Sequence, residues 1–245
     1  MFHAKVRSET LKGIVEIIST LVDEAKFNVN SDGFSLKAVD PAHVAMVDME
    51  VDKVAFEEFV ADDAELGIDL DKIKDVLRLA RSGDIIDIEQ DEDRNRLIIN
   101  VGNVSRRMNL VDTTGMSDPK VPNLDLPTKI SVVVDELQKG IRAAESVSDH
   151  IALNANLDGF EMFSEGDTDT VSLKLDKESL VSLESEEEVR SLFPLDYFSN
   201  MIRAISSGTV VEISLGNDYP VKMKFDVADG NGRVNYLLAP RIESD

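Results

Sequence analysis

The sequence predicts an α+β protein made of two similar domains. The first observation is a near repeat, because residues 28–34 read NVNSDGF and residues 154–160 read NANLDGF in a chain of 245 residues. The second is a pattern of strand, helix and three strands that is written four times. The third is a proline-bearing stretch between the two halves. A repeat spacing of about half the chain indicates a duplicated domain.

Four segments have the apolar spacing of amphipathic helices, with apolar residues returning every three or four positions. Asp71 and Asp135 suit the N-termini of the second and third helices. Ser-Gly pairs at 82–83 and 207–208 are typical C-terminal stops. The predicted helices are residues 11–21, 71–82, 135–146 and 195–206.

Short runs with alternating apolar residues surround each helix, one before it and about three after it. Turn residues such as NSDG, NLDG, DEDRN and DGNG separate the runs. The halves also agree outside the heptapeptide, since Lys12-Gly13-Ile14 recurs at 139–141 and Arg78 recurs as Arg203. Several matches in the same order predict two copies of one domain, each containing two strand–helix–three-strand units.

The stretch between the copies, residues 111–129, holds Pro119, Pro122 and Pro127. Because proline cannot donate to a helix or a sheet ladder, this stretch predicts an extended connector with little regular structure. The predicted boundaries are an N-terminal domain over 1–111, an interdomain connector over 112–128 and a C-terminal domain over 129–245.

Composition excludes several classes of protein. The chain has no cysteine, which rules out disulfides, a thiol nucleophile and a thiolate metal site. No apolar run approaches membrane-spanning length, and the N-terminus MFHAKVRSET lacks the apolar core of a signal peptide. We therefore expect a cytoplasmic protein without a membrane partner.

The formal net charge of −22 argues against a nucleic-acid partner, since phosphates repel an acidic surface. The four predicted helices are nearly neutral, however, so the excess of negative charge lies outside them. The helices are thus the surfaces that could face a polyanion. On charge alone, ordinary solvated helix faces explain the same pattern. The cations that could touch phosphates are Lys12, Lys74, Arg78, Arg81, Lys139, Arg142 and Arg203.

No constellation for catalysis or metal binding stands out. His3, His43 and His150 lie far apart without ligand spacing, and neighbouring Ser148, Asp149 and His150 on a strand would point to alternate faces. Residues 91–102 begin like a calcium loop but lack its required glycine and terminal glutamate, which favours a hairpin turn. We expect no catalytic residue, no metal site and no cofactor.

Several stretches resemble the PCNA family of sliding DNA clamps, particularly its archaeal members. The most specific are AVDPAHVAMV and YLLAPRIES. The others are MFHAKV at the start, SLKAVDPAHVAMVDM at 35–49, RSGDIIDI at 81–88, SDHIAL at 148–153 and PVKMKFDVADGNGRVNYLLAPRI at 220–242. The resemblance implies the DNA-clamp fold and a head-to-tail homotrimeric ring around double-stranded DNA, with helices inside and sheets outside. It also implies contacts independent of base sequence, a DNA polymerase held at the primer end, and a location at the nucleoid of an archaeal cell. A clamp-loader ATPase, replication factor C, would open the ring, which itself hydrolyses nothing.

The resemblance further implies two protein-binding sites. Subunits would join through the strand edges at 103–111 and 169–175. Arg106 and Arg107 could pair with acids across the boundary or could equally protect the edge. The implied interface residues are Val104, Arg106, Arg107, Met108, Leu110, Val171, Leu173 and Leu175.

The second implied site is an apolar pocket for a short peptide motif carried by the DNA polymerase, flap endonuclease and DNA ligase. Core packing is an equally good interpretation for Met46 and Leu237. The implied pocket residues are Val39, His43, Val44, Met46, Val121, Pro122, Tyr219, Pro220, Leu237, Ala239 and Pro240.

Two other functions stay open from the residues alone. A metal-dependent nuclease would need clustered carboxylates, which the 48 acidic residues allow by chance. An acidic scaffold that binds only proteins would show no retention on circular DNA. Metal-dependent cleavage of labelled DNA would support the first, and release from a circle when it is cut separates a clamp from the second.

Overall fold

The computed structural model describes residues 1–116 and 118–242. Ser117, in the predicted connector, and residues 243–245, at the end of the predicted C-terminal domain and of the motif YLLAPRIES, lie outside the described residues. The chain forms two compact units. The first comprises Met1–Val121 and Asp226–Val234, and the second comprises Pro122–Phe225 and Asn235–Asp245. The domain boundaries drawn from the sequence stay a prediction.

The first unit places two helices against antiparallel strands. Its elements are β1 (Phe2–Arg7), α1 (Ser8–Ser19), β2 (Glu24–Asn30), β3 (Gly33–Val39), β4 (Ala45–Asp52), β5 (Glu58–Ala61), β6 (Ala64–Asp69), α2 (Leu70–Leu77), β7 (Ile85–Asp91), β8 (Arg96–Val101) and β9 (Val104–Asn109). Neighbouring strands follow the orders β5-β1-β7-β8-β9 and β4-β3-β2-β6. Helix α1 packs beside α2.

The second unit repeats this plan, although its last two strands each continue into residues of the first unit. Its elements are β10 (Thr128–Val133), α3 (Val134–Ala144), β11 (His150–Ala155), β12 (Gly159–Glu165), β13 (Thr170–Asp176), β14 (Ser182–Ser185), β15 (Val189–Pro194), α4 (Leu195–Arg203), β16 (Val210–Leu215), β17 (Val221–Val227) and β18 (Gly232–Leu238). The strand orders are β14-β10-β16-β17-β18 and β13-β12-β11-β15, and α3 packs beside α4.

The repeated heptapeptide forms the same hairpin in both units. Val29 pairs with Phe34 across β2 and β3, and Ala155 pairs with Phe160 across β11 and β12. In each turn an asparagine Oδ1 accepts a backbone N–H two residues ahead, at 2.8 Å in the first unit and 2.9 Å in the second. A Cβ at Gly33 or Gly159 would lie within 2.4 Å of a carbonyl oxygen on the next strand. The close approach of that strand explains the glycine in both copies.

The apolar sides of the helices form the core of each unit with the sheets. Ile14 and Ile18 on α1, and Phe198 and Ile202 on α4, are at most 2% exposed. Burying side chains of this size contributes about 1.5–3 kcal/mol each. Helical periodicity in the sequence therefore identified the buried faces correctly.

The structure differs from the sequence pattern at two strands. Beyond the three expected after the first and third helices, β5 and β14 each add a strand of four residues, which pair with β1 and β10 respectively. Two of the four residues in each are exposed, and neither strand is long enough to show a clear apolar alternation. These segments are strands because they pair with strands that are distant in the sequence, and no local pattern predicts them.

The second helix is also shorter than its apolar spacing suggests. It ends at Leu77, and residues 78–80 continue as tight turns with hydrogen bonds from Leu79 N to Val76 O at 3.0 Å and from Ala80 N to Leu77 O at 3.2 Å. Bonds of this three-residue spacing commonly tighten the end of a helix. The apolar positions continue into the turn because Ala80 is still buried.

Candidate functional site

Every cation that the sequence assigned to DNA lies in a helix or immediately after one. Those of the N-terminal half belong to the pair α1 and α2, and the rest belong to α3 and α4. Within each unit one pair of adjacent helices therefore carries these side chains. Lys12 lies in α1, Lys74 in α2, Arg78 and Arg81 just after α2, Lys139 and Arg142 in α3, and Arg203 at the end of α4.

Most of these cations already have a carboxylate partner on the same helical pair. Three of the ion pairs join residues three apart: Lys74 to Asp71 at 2.6 Å, Arg78 to Asp75 at 2.9 Å and Lys139 to Glu136 at 3.7 Å. The fourth joins Arg203 on α4 to Glu145, the residue after α3, at 2.6 Å. Glu145 also accepts a hydrogen bond from the Ser199 hydroxyl at 2.9 Å.

The remaining cations have a different environment. Lys12 donates from Nζ to the carbonyl oxygen of Ala80 at 3.1 Å. Arg81 and Arg142 are exposed, and neither forms an ion pair within the part of the chain that the structure describes. Since a paired cation has a weaker outward field than an unpaired one, Arg81 and Arg142 keep more of their outward field than the four paired cations do.

The predicted interface segments form terminal strands of their sheets. Strand β9 ends one strand order of the first unit, and β13 ends one order of the second. Val104 is 47% exposed, whereas Met108 and Leu175 are already buried in the single chain. Arg107 is exposed; Arg106, Leu110, Val171 and Leu173 are half-buried. Arg106 lies 3.7 Å from Asp75, the carboxylate that also holds Arg78.

In the first unit, the predicted peptide-binding residues from Val39 to Met46 belong to a loop built on one buried carboxylate and to the strand ends beside it. Asp40 is 3% exposed and accepts backbone N–H groups from Ala42, Val44 and Ala45 at 3.0, 2.7 and 2.7 Å. This arrangement holds His43 in a left-handed conformation with φ of 58°. The loop is consequently a rigid feature of the surface. His43 is exposed, Val39, Val44 and Val121 are half-buried, and Met46 is buried.

The predicted peptide-binding residues of the second unit differ widely in exposure. Tyr219 is 56% exposed, whereas Leu237 is 5% exposed. Leu237 and Met46 are both buried, which favours the core-packing interpretation for these two side chains. Pro122 is exposed, and Pro220, Ala239 and Pro240 are half-buried.

Sequence reasoning missed a carboxylate clasp that occurs in both units. Glu9, in the first turn of α1, accepts hydrogen bonds from the Ser82 hydroxyl and the Gly83 N–H. Asp135, in the first turn of α3, accepts from the Ser207 hydroxyl at 2.6 Å and the Gly208 N–H at 2.7 Å. The recurrence of Ser-Gly was the available signal, but its partner lies more than 70 residues away in sequence.

These hydrogen bonds lower the pKa of both clasp carboxyls. For Glu9 the Ser82 hydroxyl has the largest effect, and the pKa falls from 4.5 to about 2. The Ser207 hydroxyl likewise lowers the pKa of Asp135. Both carboxyls therefore stay ionised at neutral pH and hold the turn that follows α2 or α4 against the start of the neighbouring helix.

The residues considered for catalysis have other contacts. The Ser148 hydroxyl oxygen accepts the backbone N–H of His150 at 3.2 Å, and the His150 ring contacts the Arg241 guanidinium. His3 lies 2.8 Å from Asp87. Residues 91–102 form the β7–β8 hairpin, as predicted.

Two features of the described residues bear on other classes of function. Across residues 1–116 and 118–242, no three His, Asp or Glu side chains come together as metal ligands would. None of the helices in those same ranges is long and apolar enough to span a bilayer.

Comparison with known proteins covers the whole chain. Residues 1–117 match the N-terminal domain model of proliferating cell nuclear antigen, and residues 120–241 match its C-terminal domain model. Proteins named DNA polymerase sliding clamp from Methanococcoides burtonii and Methanocella arvoryzae are 43% and 44% identical, each over 100% of both chains. The structure of A. fulgidus PCNA with the C-terminal region of FEN-1 bound aligns with a TM-score of 0.94 at 32% identity, again over 100% of both chains.

Proposed function

Because this chain belongs to the proliferating cell nuclear antigen family, we propose that it is a sliding clamp that encircles duplex DNA and tethers DNA polymerase and other replication and repair proteins. The observation that carries the proposal is full-length similarity to relatives named DNA polymerase sliding clamp. The clamp works by topology, since a closed ring cannot leave the duplex sideways. It has no catalytic activity of its own, binds no cofactor and acts at the nucleoid, in the cytoplasm of an archaeal cell.

The charge pattern suits a ring that must slide. A chain of net charge −22 repels DNA generally, while Arg81, Arg142 and the partly neutralised cations beside them offer weak phosphate contacts. Such contacts do not depend on base sequence, so no position along the duplex traps the protein. The helices of both units line the hole in this proposal, and the sheets form the outer wall.

Ring closure is proposed to occur by strand pairing between copies of the chain. The terminal strands β9 and β13 leave backbone groups along one edge of each sheet, and unpaired edges associate readily. Three chains joined head to tail form the closed ring. A clamp loader of the replication factor C type opens one of these joints to load the ring onto DNA.

Partner proteins are proposed to dock through a short peptide motif. The solved structure of A. fulgidus PCNA with the C-terminal region of FEN-1 bound supports a flap endonuclease as one such partner. DNA polymerase and DNA ligase would use the same pocket. Its candidate residues include the Asp40-centred loop, Val121 and the exposed Tyr219.

Retention on circular DNA tests the proposal. The protein, loaded by a clamp loader onto a nicked circle, should stay bound through a high-salt wash and leave when a restriction enzyme linearises the circle. Loss from the intact circle in the same wash would contradict topological binding. Divalent-cation-dependent cleavage of the DNA would instead support a nuclease, and absence from the circle with retained peptide binding would support a protein scaffold.

A further inference from the structure

Lys26 on β2 is a buried cation outside every site described above. Its side chain is 8% exposed, although lysine is almost never buried without a partner. Its Nζ lies 2.9 Å from Asp118 Oδ2 and 3.4 Å from Glu65 Oε1. Hydrogen bonding and charge attraction within the trio raise the pKa of Lys26 and lower that of Asp118, with the Lys26–Asp118 bond the largest cause of each shift.

The burial of Lys26 has an identifiable cause. Along β2, Ala25, Phe27 and Val29 are buried core residues, so Lys26 between them points to the opposite face. That face would be open to solvent unless another segment covered it. The segment that supplies Asp118 is the predicted connector, which leaves β9 and runs alongside β6.

The last residue of the predicted N-terminal domain and two connector residues, at positions 111, 113 and 118, bind this strand pair. Val111 N donates to Gly67 O at 2.8 Å, and Thr113 Oγ1 donates to Glu65 at 3.5 Å. Asp118 then binds Lys26, which stands directly opposite Gly67 in the β2–β6 register. Asn28 Nδ2 adds a contact to Asp118 at 3.5 Å and stands opposite Glu65.

Gly67 permits this course of the chain. A Cβ at Gly67 would lie 2.2 Å from the carbonyl oxygen of Val111 and 3.1 Å from Thr113. Glycine is therefore required for the connector to lie against β6 and reach Lys26. The contacts of β2 and β6 with the connector therefore all place the connector against the same face of this strand pair.

We propose that Lys26 is a positioning residue that anchors the connector to the first unit and thereby sets the affinity for partner peptides. The second half of this statement rests on the proposed function, because Val121 was assigned to the peptide pocket by family resemblance. Val121 follows Asp118 by three residues, so anchoring Asp118 confines it to within about 10 Å of that point. If the connector is already ordered, peptide binding does not include the entropic cost of ordering it, and the affinity is higher.

The anchor also suits an acidic protein. Because the Lys26 end of the pair is buried, salt screens it less than it screens exposed pairs such as Lys53–Asp32, whose side chains are 50% and 87% exposed. Surface pairs weaken as salt rises. We expect the connector to keep its position over a range of salt in which exposed pairs of the same unit no longer contribute.

The absence of cysteine from the chain permits a direct test. Lys120→Cys places a single nitroxide label on an exposed connector position, and electron paramagnetic resonance then reports its mobility. Lys26→Met and Asp118→Asn should each mobilise the label. On unlabelled proteins, each should weaken binding of a flap-endonuclease C-terminal peptide by roughly fivefold to tenfold in a titration.

Matched variants separate positioning from general stability. Lys26→Arg keeps the charge and should preserve both label order and peptide affinity. Lys5→Met removes another strand lysine of the same unit, paired to Glu58, and should change neither readout. Both substitutions break the same Lys26–Asp118 contact, so their effects should not add. The double variant Lys26→Met/Asp118→Asn should therefore bind the peptide no more weakly than the weaker-binding of the two single variants. Asp118→Asn alters a half-exposed side chain, so it tests the proposal even if Lys26→Met fails to fold.

An unchanged label spectrum in both single variants would overturn the anchor. A mobile label with peptide affinity within twofold of the parent would overturn its role in partner binding. If the parent itself binds no peptide, the proposed partner site fails, and label mobility alone then supports or overturns the anchor.

Discussion

At the scale of single residues, the helical cations differ mainly in what already neutralises them. Asp71 and Glu136 hold Lys74 and Lys139, whereas Arg142 forms no ion pair with a described residue. Exposed pairs of this kind contribute little to folding stability, about 0–1 kcal/mol. Their main consequence is therefore for the field that the helices present to DNA.

Freeing two of these lysines should strengthen duplex binding. We expect the double variant Asp71→Asn/Glu136→Gln to bind duplex DNA roughly twofold to fivefold more tightly for each freed cation at low salt. The slope of log affinity against log salt concentration should steepen by about one for each cation that reaches a phosphate. Fluorescence anisotropy of a labelled duplex measures both quantities.

A charge-matched control removes two exposed acids away from the helices, one in each unit, in the double variant Asp93→Asn/Glu178→Gln. Each double variant removes two negative charges, so the two proteins have the same net charge. The same gain in affinity for the two proteins would mean that total charge, rather than the local ion pairs, governs binding.

At the scale of elements, the clasps at Glu9 and Asp135 connect each helix start to the turn after its neighbour. A carboxyl whose pKa is lower in the folded chain contributes stability above its unfolded pKa and loses it as pH falls through the folded value. For Glu9 that window runs from about 4.5 down to about 2. The stability contributed by the clasp is thus fully present at neutral pH.

Removing the clasp carboxylate should flatten this acid dependence. Urea denaturation of Glu9→Gln between pH 5 and pH 2.5 should show a smaller fall in stability than the parent shows, together with lower stability at pH 7. Glu16→Gln, an exposed position on the same helix, serves as the comparison. Equal pH profiles for parent and Glu9→Gln would contradict the assignment.

The repeated Lys-Gly-Ile element predicts opposite effects of one substitution. Gly13 in α1 has no atom within 4 Å of an added Cβ, so Gly13→Ala should stabilise the protein by about 0.5–1 kcal/mol. At Gly140 in α3 the added Cβ would meet Met162 Sδ at 2.8 Å and Leu173 at 3.0 Å. Met162 is 2% exposed and has little room to move. Gly140→Ala should therefore destabilise by about 1 kcal/mol.

Chemical denaturation of the two glycine variants measures this difference directly. Stabilisation by both alanines would show that helix propensity outweighs the contact with β12 and β13. Destabilisation by both would contradict the open space that the structure shows beside Gly13.

At the scale of the whole molecule, the proposed ring depends on the terminal strands β9 and β13. Val104→Glu introduces a charge at an exposed position of β9, where strand pairing would bury it. We expect its association constant to fall by at least roughly tenfold. Light scattering should then shift from about three times the 27.1 kDa of one chain toward a single chain.

Val54→Glu provides the matched control, since Val54 is 67% exposed in the same unit but belongs to a short turn. It should assemble as the parent does, at low and at high salt. Equal loss of assembly in both variants would indicate that acidity alone separates the chains. Normal assembly of Val104→Glu would move the interface away from β9.

The sequence by itself determined the α+β class, the four helices, the duplication and the hairpin at 91–102. These features have local causes, because apolar periodicity and turn residues act on neighbours in the chain. The family resemblance came from particular stretches such as AVDPAHVAMV and YLLAPRIES, and the full-length matches confirm it.

Only the tertiary structure decided which distant partners these residues meet. It added β5 and β14, which are strands because they pair with β1 and β10. It also joined Glu9 to Ser82 and Lys26 to Asp118, 92 positions apart in the chain. Local patterns show that a side chain is apolar, charged or turn-forming. Which carboxylate reaches a given lysine depends on how the whole unit packs. The sequence of one segment does not determine that packing.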